Sequence, residues 1–336
     1  EEAFLKNSKW LSFGKIRASY GIAGNDQIPD YQYLSTYRST GVPYQTTVGL
    51  TPSRIANADF RWETNRKFEA AIEVGFWSNR IFLTSAYYYN LCGNQLVSYP
   101  LPYMSGPFGS YTANLPASVE NKGWEFEFSA YPIHKTDFQW SISFNLTLPR
   151  NKLLSYPNLE NTSYAYTYVV GQDINVRTGL KFLGVDVQNG LPLFEDVNKD
   201  GSISIPGDYT VIGKLSPYYY GGFGHEFRFK QFELQLFFQY SKQFVFGSVP
   251  LAGSTNNQFH TALKRWQQPG DITMVPKATT QTSSAYFHYL YSSAGLYNAS
   301  YLRCKNVHVA YRLPATILRK FGLNELEASV QAQNLF

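Results

Sequence analysis

Phe138, Trp140, Ile142, Phe144, Leu146 and Leu148 take every second place along one stretch of the chain. Gln139, Ser141, Ser143, Asn145 and Thr147 fill the gaps. Phe232, Leu234, Leu236, Phe238 and Tyr240 repeat the pattern, with Glu233, Gln235 and Gln239 between them. A period of two places each set on one face of a strand. One face wants an apolar medium and the other wants water. A strand in the wall of a water-lined transmembrane β-barrel needs both.

The same alternation predicts further strands. Lys15–Ala23 carries Ile16, Ala18, Tyr20 and Ile22 on one face, with Lys15, Arg17 and Ser19 on the other, and Gly24-Asn25-Asp26 breaks it. Lys67–Phe76 turns at Ser78-Asn79-Arg80 and returns as Ile81–Asn90, with Glu69 and Glu73 pointing to the lumen. Gly123–Tyr131 pairs with Phe138–Pro149, Tyr218–Phe229 with Phe232–Lys242, and Tyr301–Leu313 with Glu325–Gln333. Gln27–Ala58, Val97–Ala117 and Gly247–Ala299 read as long irregular loops, and Leu153–Gly207 as mostly outside the wall. Gln258–Trp266 is the one short helical expectation. The fold class is all-β: part of a transmembrane antiparallel barrel with long extracellular loops.

Composition supports this reading without deciding it. Of 336 residues, 16% are charged and 17% aromatic, with 27 Tyr and 25 Phe. Typical globular chains carry roughly 25% charged residues. No run of about 18 apolar residues offers a membrane helix. Aromatics suit the interfacial girdles of a barrel, but also a soluble all-β sandwich or lectin-like module. The net charge of +5 is scattered, so no nucleic-acid face forms. Cys92 and Cys304 stand apart with no metal-ligand spacing. Glu1–Lys6 has neither the basic start nor the apolar core of a signal peptide.

Asp196-Val197-Asn198-Lys199-Asp200-Gly201-Ser202-Ile203 carries the sharpest local chemistry. Oxygen-bearing side chains at alternate positions, then Gly, begin a calcium loop. The expected ligands are Asp196, Asn198, Asp200, the Ser202 carbonyl and Asp208, which stands one place later than the bidentate Glu of an EF-hand. A structural Ca2+ and a solvated Asp/Asn/Gly turn are both open. Glu69 with Glu73, and Glu125 with Glu127, suit the wall of a wet pore better than a glycosidase pair. His134, His225, His260, His288 and His308 show no ligand spacing, and no G-x-S-x-G nucleophile motif exists. Tyr286, Tyr289, Tyr291 and Tyr297 crowd one loop. They suit ring binding or packing within the loop equally.

Five segments resemble one family in order along the whole chain. Lys15–Asn25 resembles the K-x-R-x-S-Y-G-x-x-G-N stretch of SusC/RagA TonB-dependent outer-membrane transporters of Bacteroidetes. Asn57–Thr64 resembles their N-P-x-L-x-W-E-T, with Ala58 in place of Pro. Ser118–Glu125 resembles N-K-G-x-E, Asn298–Asn306 resembles N-x-S-Y-L-R-L-K-N, and Gln333–Phe336 matches Q-N-L-F. In this family a D-x-N-x-D-G stretch also precedes a D-x-x-x-x-G such as Asp208–Gly213.

The resemblance implies roughly half of a barrel of about twenty-two strands. Residues 1–336 would be part of a single barrel domain, with the plug and early strands outside the chain. In this family Q-N-L-F precedes further barrel sequence, although Phe336 could also be a barrel's terminal aromatic. The implied function is active import of glycans or oligopeptides across the outer membrane. Its partners would be a SusD-like surface lipoprotein and TonB, which acts through the plug. No enzyme activity and no nucleic-acid partner are expected. The alternative is a soluble or secreted all-β carbohydrate- or peptide-binding module, and a secreted hydrolase stands third. On the barrel reading, Phe138, Trp140, Phe144, Phe232, Leu236 and Phe238 face lipid, while Gln139, Ser143, Glu233 and Gln235 face the lumen.

Overall fold

Nine antiparallel strands hydrogen-bond in the order in which the chain makes them. In this computed structural model they are β1 (Leu11–Asn25), β2 (Glu63–Phe76), β3 (Ile81–Pro100), β4 (Ser110–His134), β5 (Phe138–Ser155), β6 (Tyr219–Phe229), β7 (Phe232–Lys242), β8 (Tyr301–Arg312) and β9 (Glu327–Gln333). The structure describes residues 10–25, 31, 33–100, 104, 110–251, 253, 257–281 and 283–335, with backbone only at 42, 44, 98–100, 110 and 111. The readings of Glu1–Lys6 and Phe336 fall outside these residues. So do the parts of the loop readings at 26–30, 32, 101–103, 105–109, 252, 254–256 and 282.

Such a meander is a wall of a closed or closing barrel. The connections 77–80, 135–137, 230–231 and 313–326 leave one edge of it, the first three as compact turns. The connections 26–62, 101–109, 156–218 and 243–300 leave the other, the long-loop edge, which carries the three longest. Among the described residues no helix is long and apolar enough to cross a membrane. The crossing elements are strands.

Register confirms the alternation. Phe144 stands opposite Phe128 and Phe223, and Trp140 opposite Ile133 and Phe227. Phe238 stands opposite Phe223, and Phe229 opposite both Phe138 and Phe232. On the other face Asn145 meets Glu127 and Gly222, and Glu233 meets Arg228 and Ala310. The apolar face is bounded by rings at both ends. Near the compact turns, Trp10 stacks on Phe76 at 5.8 Å, Phe138 meets Phe229 at 6.4 Å, and Phe232 meets Tyr311 at 4.6 Å. Toward the long loops, Tyr87 meets Trp124 at 5.1 Å and Tyr219 meets Tyr240 at 6.3 Å. These are the aromatic girdles of a barrel, one at each interface.

Two expectations are corrected. Within Val97–Ala117, residues 97–100 and 110–117 are strand rather than irregular loop. β3 runs 20 residues and β4 runs 25, whereas a tilted strand crosses a bilayer in about 9–11. Both therefore continue beyond the membrane. There the apolar parity switches. Trp124, Phe126 and Phe128 point away from the polar face, but Ala113, Leu115, Ala117 and Val119 are buried at odd positions. Leu115, Ala117 and Val119 form a core with Leu153 and Tyr156, over which Leu159, Tyr164, Tyr168 and Ile174 pack. Above the bilayer the inner side is covered by protein, so it becomes apolar. The second correction concerns Gln27–Ala58, which contains a hairpin, Thr36–Tyr44 paired with Thr47–Arg54. The expected helix at Gln258–Trp266 is one 3-10 turn, His260–Lys264, while the helix at Ser284–Leu290 gave no clear period.

Candidate functional site

The polar face of the wall is a charged and hydroxylated surface held in place by cross-strand pairs. Arg17 reaches Glu69 and Glu73, each at 3.3 Å, and Lys15 reaches Glu73 at 3.6 Å. Nearer the compact turns, Arg228 joins Glu226 at 2.7 Å and Glu233 at 3.3 Å, and Arg312 joins Glu233 at 3.6 Å and Glu327 at 2.7 Å. Glu125 and Glu127 stand opposite Thr147 and Asn145. The carboxylates suspected of acid–base work are thus wall residues, two of them in ion pairs. Hollows of about 280 and 240 Å³ indent this face, lined among others by Ser129, Ser143, Glu226, Gln235 and Glu127. Phe237 projects into the larger one beside Asn306.

Segments 156–218 and 243–300 interlock into one body at the long-loop edge. Leu180 donates its N–H to the Tyr291 carbonyl at 3.0 Å and accepts from Ser293 N–H at 2.8 Å. Trp266 donates its indole N–H to the Val187 carbonyl at 3.2 Å. Phe182 packs edge-on to Tyr289 at 5.2 Å, and Phe194 edge-on to His288 at 5.9 Å. Leu180, Tyr289 and Ser292 are wholly buried at the seam.

The crowded tyrosines divide there. Tyr289 donates to the Met274 carbonyl at 3.3 Å and Tyr286 to that of Lys277, both from buried positions. Burial pushes both phenols above their ordinary value. These two are core residues of the loop body. Tyr291 and Tyr297 keep about two-fifths of their surface exposed.

The acidic loop lies in the same body, between the short strands Pro192–Phe194 and Thr210–Lys214. Asp196 accepts from Lys199 N–H at 2.7 Å and from Gly201 N–H at 2.9 Å. Asn198 Oδ1 accepts from Asp200 N–H at 3.0 Å, and Asp200 accepts from Ser202 N–H at 2.8 Å. Gly201 takes φ +82°, which a side chain would strain. Asp208 takes a different place from the one the motif suggests. It is fully buried and accepts from the N–H groups of Val197 at 2.8 Å, Asn198 at 3.3 Å and Ser204 at 2.8 Å. These donors, Ser204 first, hold its carboxyl below the usual range. Among the described residues no group of three or more His, Cys, Asp and Glu stands arranged to hold a metal ion.

The motif segments act as pins between strands. Glu63 accepts from Asn25 Nδ2 at 2.9 Å and Leu96 N–H at 2.8 Å, tying β1 to β3. Asn121 accepts from Asn151 at 2.5 Å, and Asn151 accepts from Ile174 N–H at 2.9 Å. That chain joins the wall to the loop body. Sequence reasoning missed the inward Phe237. Its signal lay on the neighbouring strand, where Gly222 and Gly224 leave room for a ring.

A family model described as TonB dependent receptor-like, beta-barrel, matches residues 7–335. Over 366 aligned positions the chain is 30% identical to TonB-dependent receptor P3 of Formosa agariphila, covering 100% of this chain and 36% of that protein. It is 25% identical to TonB-dependent receptor SusC of Bacteroides thetaiotaomicron, over 93% of this chain and 33% of that protein. Among solved structures, the RagAB peptide transporter aligns with a TM-score of 0.82 at 23% identity, over 99% of this chain and 38% of that chain. The chain spans 33% to 38% of the length of these relatives.

Proposed function

The chain belongs to the TonB-dependent receptor-like β-barrel family, and on that premise we propose that it supplies wall and extracellular loops to an outer-membrane importer of glycans or oligopeptides. The importer draws its energy from TonB through a plug and works beneath a SusD-like surface lipoprotein. One observation carries this reading. The three longest connections leave the same edge of the wall, and 156–218 interlocks with 243–300 there. A rigid loop body over a polar lumen face is what solute capture above a pore requires. A protein of this kind needs no bond-making chemistry, and Glu69 and Glu73 are engaged by Arg17 and Lys15.

The test is genetic and biochemical. Deleting the gene in the native host should abolish growth on one glycan or peptide source, and so should removing tonB. Purification in mild detergent should bring down a surface lipoprotein. Unchanged growth on every such source would sink the proposal.

We further propose that the Asp196–Ser202 loop takes one hard cation as a staple, with Asp196, Asn198 and Asp200 supplying side-chain oxygens. Their alternation around Gly201 supports this. Asp208, fully buried behind them, would brace the loop through the N–H groups of Val197, Asn198 and Ser204.

A further inference from the structure

Arg177 is a half-buried cation without an anion. It lies on the short strand Val176–Gly179, opposite Gly213, inside the loop body. Its Nε is buried and has no hydrogen-bond partner. Among the described residues no carboxylate pairs with it. The acids on neighbouring segments are already engaged. Asp173 takes Lys214 at 3.4 Å, Asn175 N–H at 2.8 Å and Ser216 Oγ at 2.8 Å. Glu195 takes Lys181 at 2.8 Å.

Burying a guanidinium unpaired is costly, and proteins normally place an acid beside it. Here the compensation is an aromatic face. Arg177 Cζ stands 4.3 Å from the centre of the Phe246 ring. That ring is itself wedged against Gly295, where a Cβ would meet it at 2.9 Å. A cation over a ring is stabilised through its flat face. Nε is closed off from solvent, so a carboxylate would meet the two terminal nitrogens, whose end-on edge also grips it in two parallel hydrogen bonds. Tyr209 lies close enough for the Arg177 charge to act on its phenol. Tyr166 meets Tyr209 edge-on at 6.5 Å and is largely exposed. Arg177 comes from 156–218 and Phe246 from 243–300, so the pair spans the seam of the loop body.

We propose that Arg177, backed by Phe246, is the receptor for a carboxylate on the imported solute. The carboxylate belongs either to a peptide, as its terminus or an acidic side chain, or to an acidic sugar. A phosphate, with its higher charge, would call for a second cation, and Lys214 is paired with Asp173. This inference rests on the import reading and narrows its substrate class.

The test uses the intact receptor purified with its native partners and two matched pairs of probes. One pair is a mixture of short peptides with free carboxylates against the same mixture amidated and esterified. The other is an oligogalacturonate mixture against its methyl esters. Wild-type protein should retain the acid form of one pair at least tenfold better than its neutral twin, and the responding pair identifies the source. R177Q should erase the difference and R177K should keep part of it, with all variants showing the wild-type heat-dependent gel mobility of a folded barrel. Equal retention of acid and neutral forms by wild type, no retention of either, or discrimination that survives R177Q overturns the proposal. The import reading is judged separately. If gene deletion abolishes TonB-dependent growth while R177Q grows and discriminates as wild type does, only the role of Arg177 fails.

Discussion

The ring of Phe237 lies so close to Gly222 that a Cβ on that glycine would stand 2.7 Å from it. Phe237 sits on the polar face of β7, between Gln235 and Gln239, directly opposite Gly224 and Asn306. An apolar ring is tolerated among polar neighbours because two glycines of β6 leave the floor bare. It interrupts the alternation while the register with β6 runs on unbroken, but the pairing with β8 shifts between Phe237 and Phe238.

Gly222→Val should therefore overpack this site and destabilise the wall by about 1–3 kcal/mol. Phe237→Ala alone should cost less, because the ring is partly exposed. The double variant should recover part of the loss, since the ring is gone while the Phe238 carbonyl still stands 2.9 Å from the added Cβ. Urea unfolding of the refolded barrel, followed by heat-dependent gel mobility, measures all three. Strict additivity would show that ring and glycine are not coupled.

Phe144 and Ser143 are neighbours in sequence and opposites in environment. Phe144 meets Phe128 and Phe223 on the apolar face, and Ser143 meets Ser129 and Gly224 on the polar one. Phe144→Arg should cost about 2–4 kcal/mol, the penalty for a cation near mid-membrane on the lipid face. Ser143→Arg should leave stability nearly unchanged and narrow the lumen instead. Equal costs at the two positions would contradict the assigned faces.

Much of the wall was legible because one physical rule, lipid outside and water inside, governs most residues between the girdles, Phe237 being an exception. Phe232–Lys242 was bounded from alternation alone. Legibility ended where the environment changed. Above the bilayer the inner side of β4 meets protein, so Leu115, Ala117 and Val119 carry the opposite parity, and Pro116 within the strand disguised it further. The tyrosines of Ser284–Leu290 were visible as a cluster, but composition cannot tell a buried ring packed on Phe182, as Tyr289 is, from one offered to a solute. The acidic loop was legible as a turn held by its own carboxylates. The burial of Asp208 depends on contacts that no spacing encodes.

The cation proposal makes a separate prediction. Calcium should raise the protection of 196–203 from hydrogen exchange and from proteolysis in the intact receptor, and chelation should reverse it. Asp200→Asn should weaken the response by removing one of two ligand charges. Barrel stability should not change in either case, because the loop stands apart from the wall. Protection that is identical with calcium and with chelator would show the loop to be self-sufficient.

Asp208 predicts the pH behaviour of the same loop. Its carboxyl is held below the ordinary carboxylate range chiefly by the Ser204 N–H, with Asn198 and Val197 adding to it. A group whose folded pKa is depressed contributes stability above its unfolded value, and that contribution is lost as pH falls through the folded value. The unfolded value for Asp is about 3.9, so the loop should stay closed at neutral pH and open only below about pH 4. Asp200 shifts in the same direction through Ser202 and sharpens the transition. Asp208→Asn should remove this dependence and leave 197–208 exchanging faster at every pH, because an amide nitrogen would face N–H donors where an oxygen now accepts. Hydrogen exchange across 197–208 from pH 3 to pH 7 reads both effects. Opening of the wild-type loop near neutrality, or wild-type protection in the variant, would rule out Asp208 as the brace.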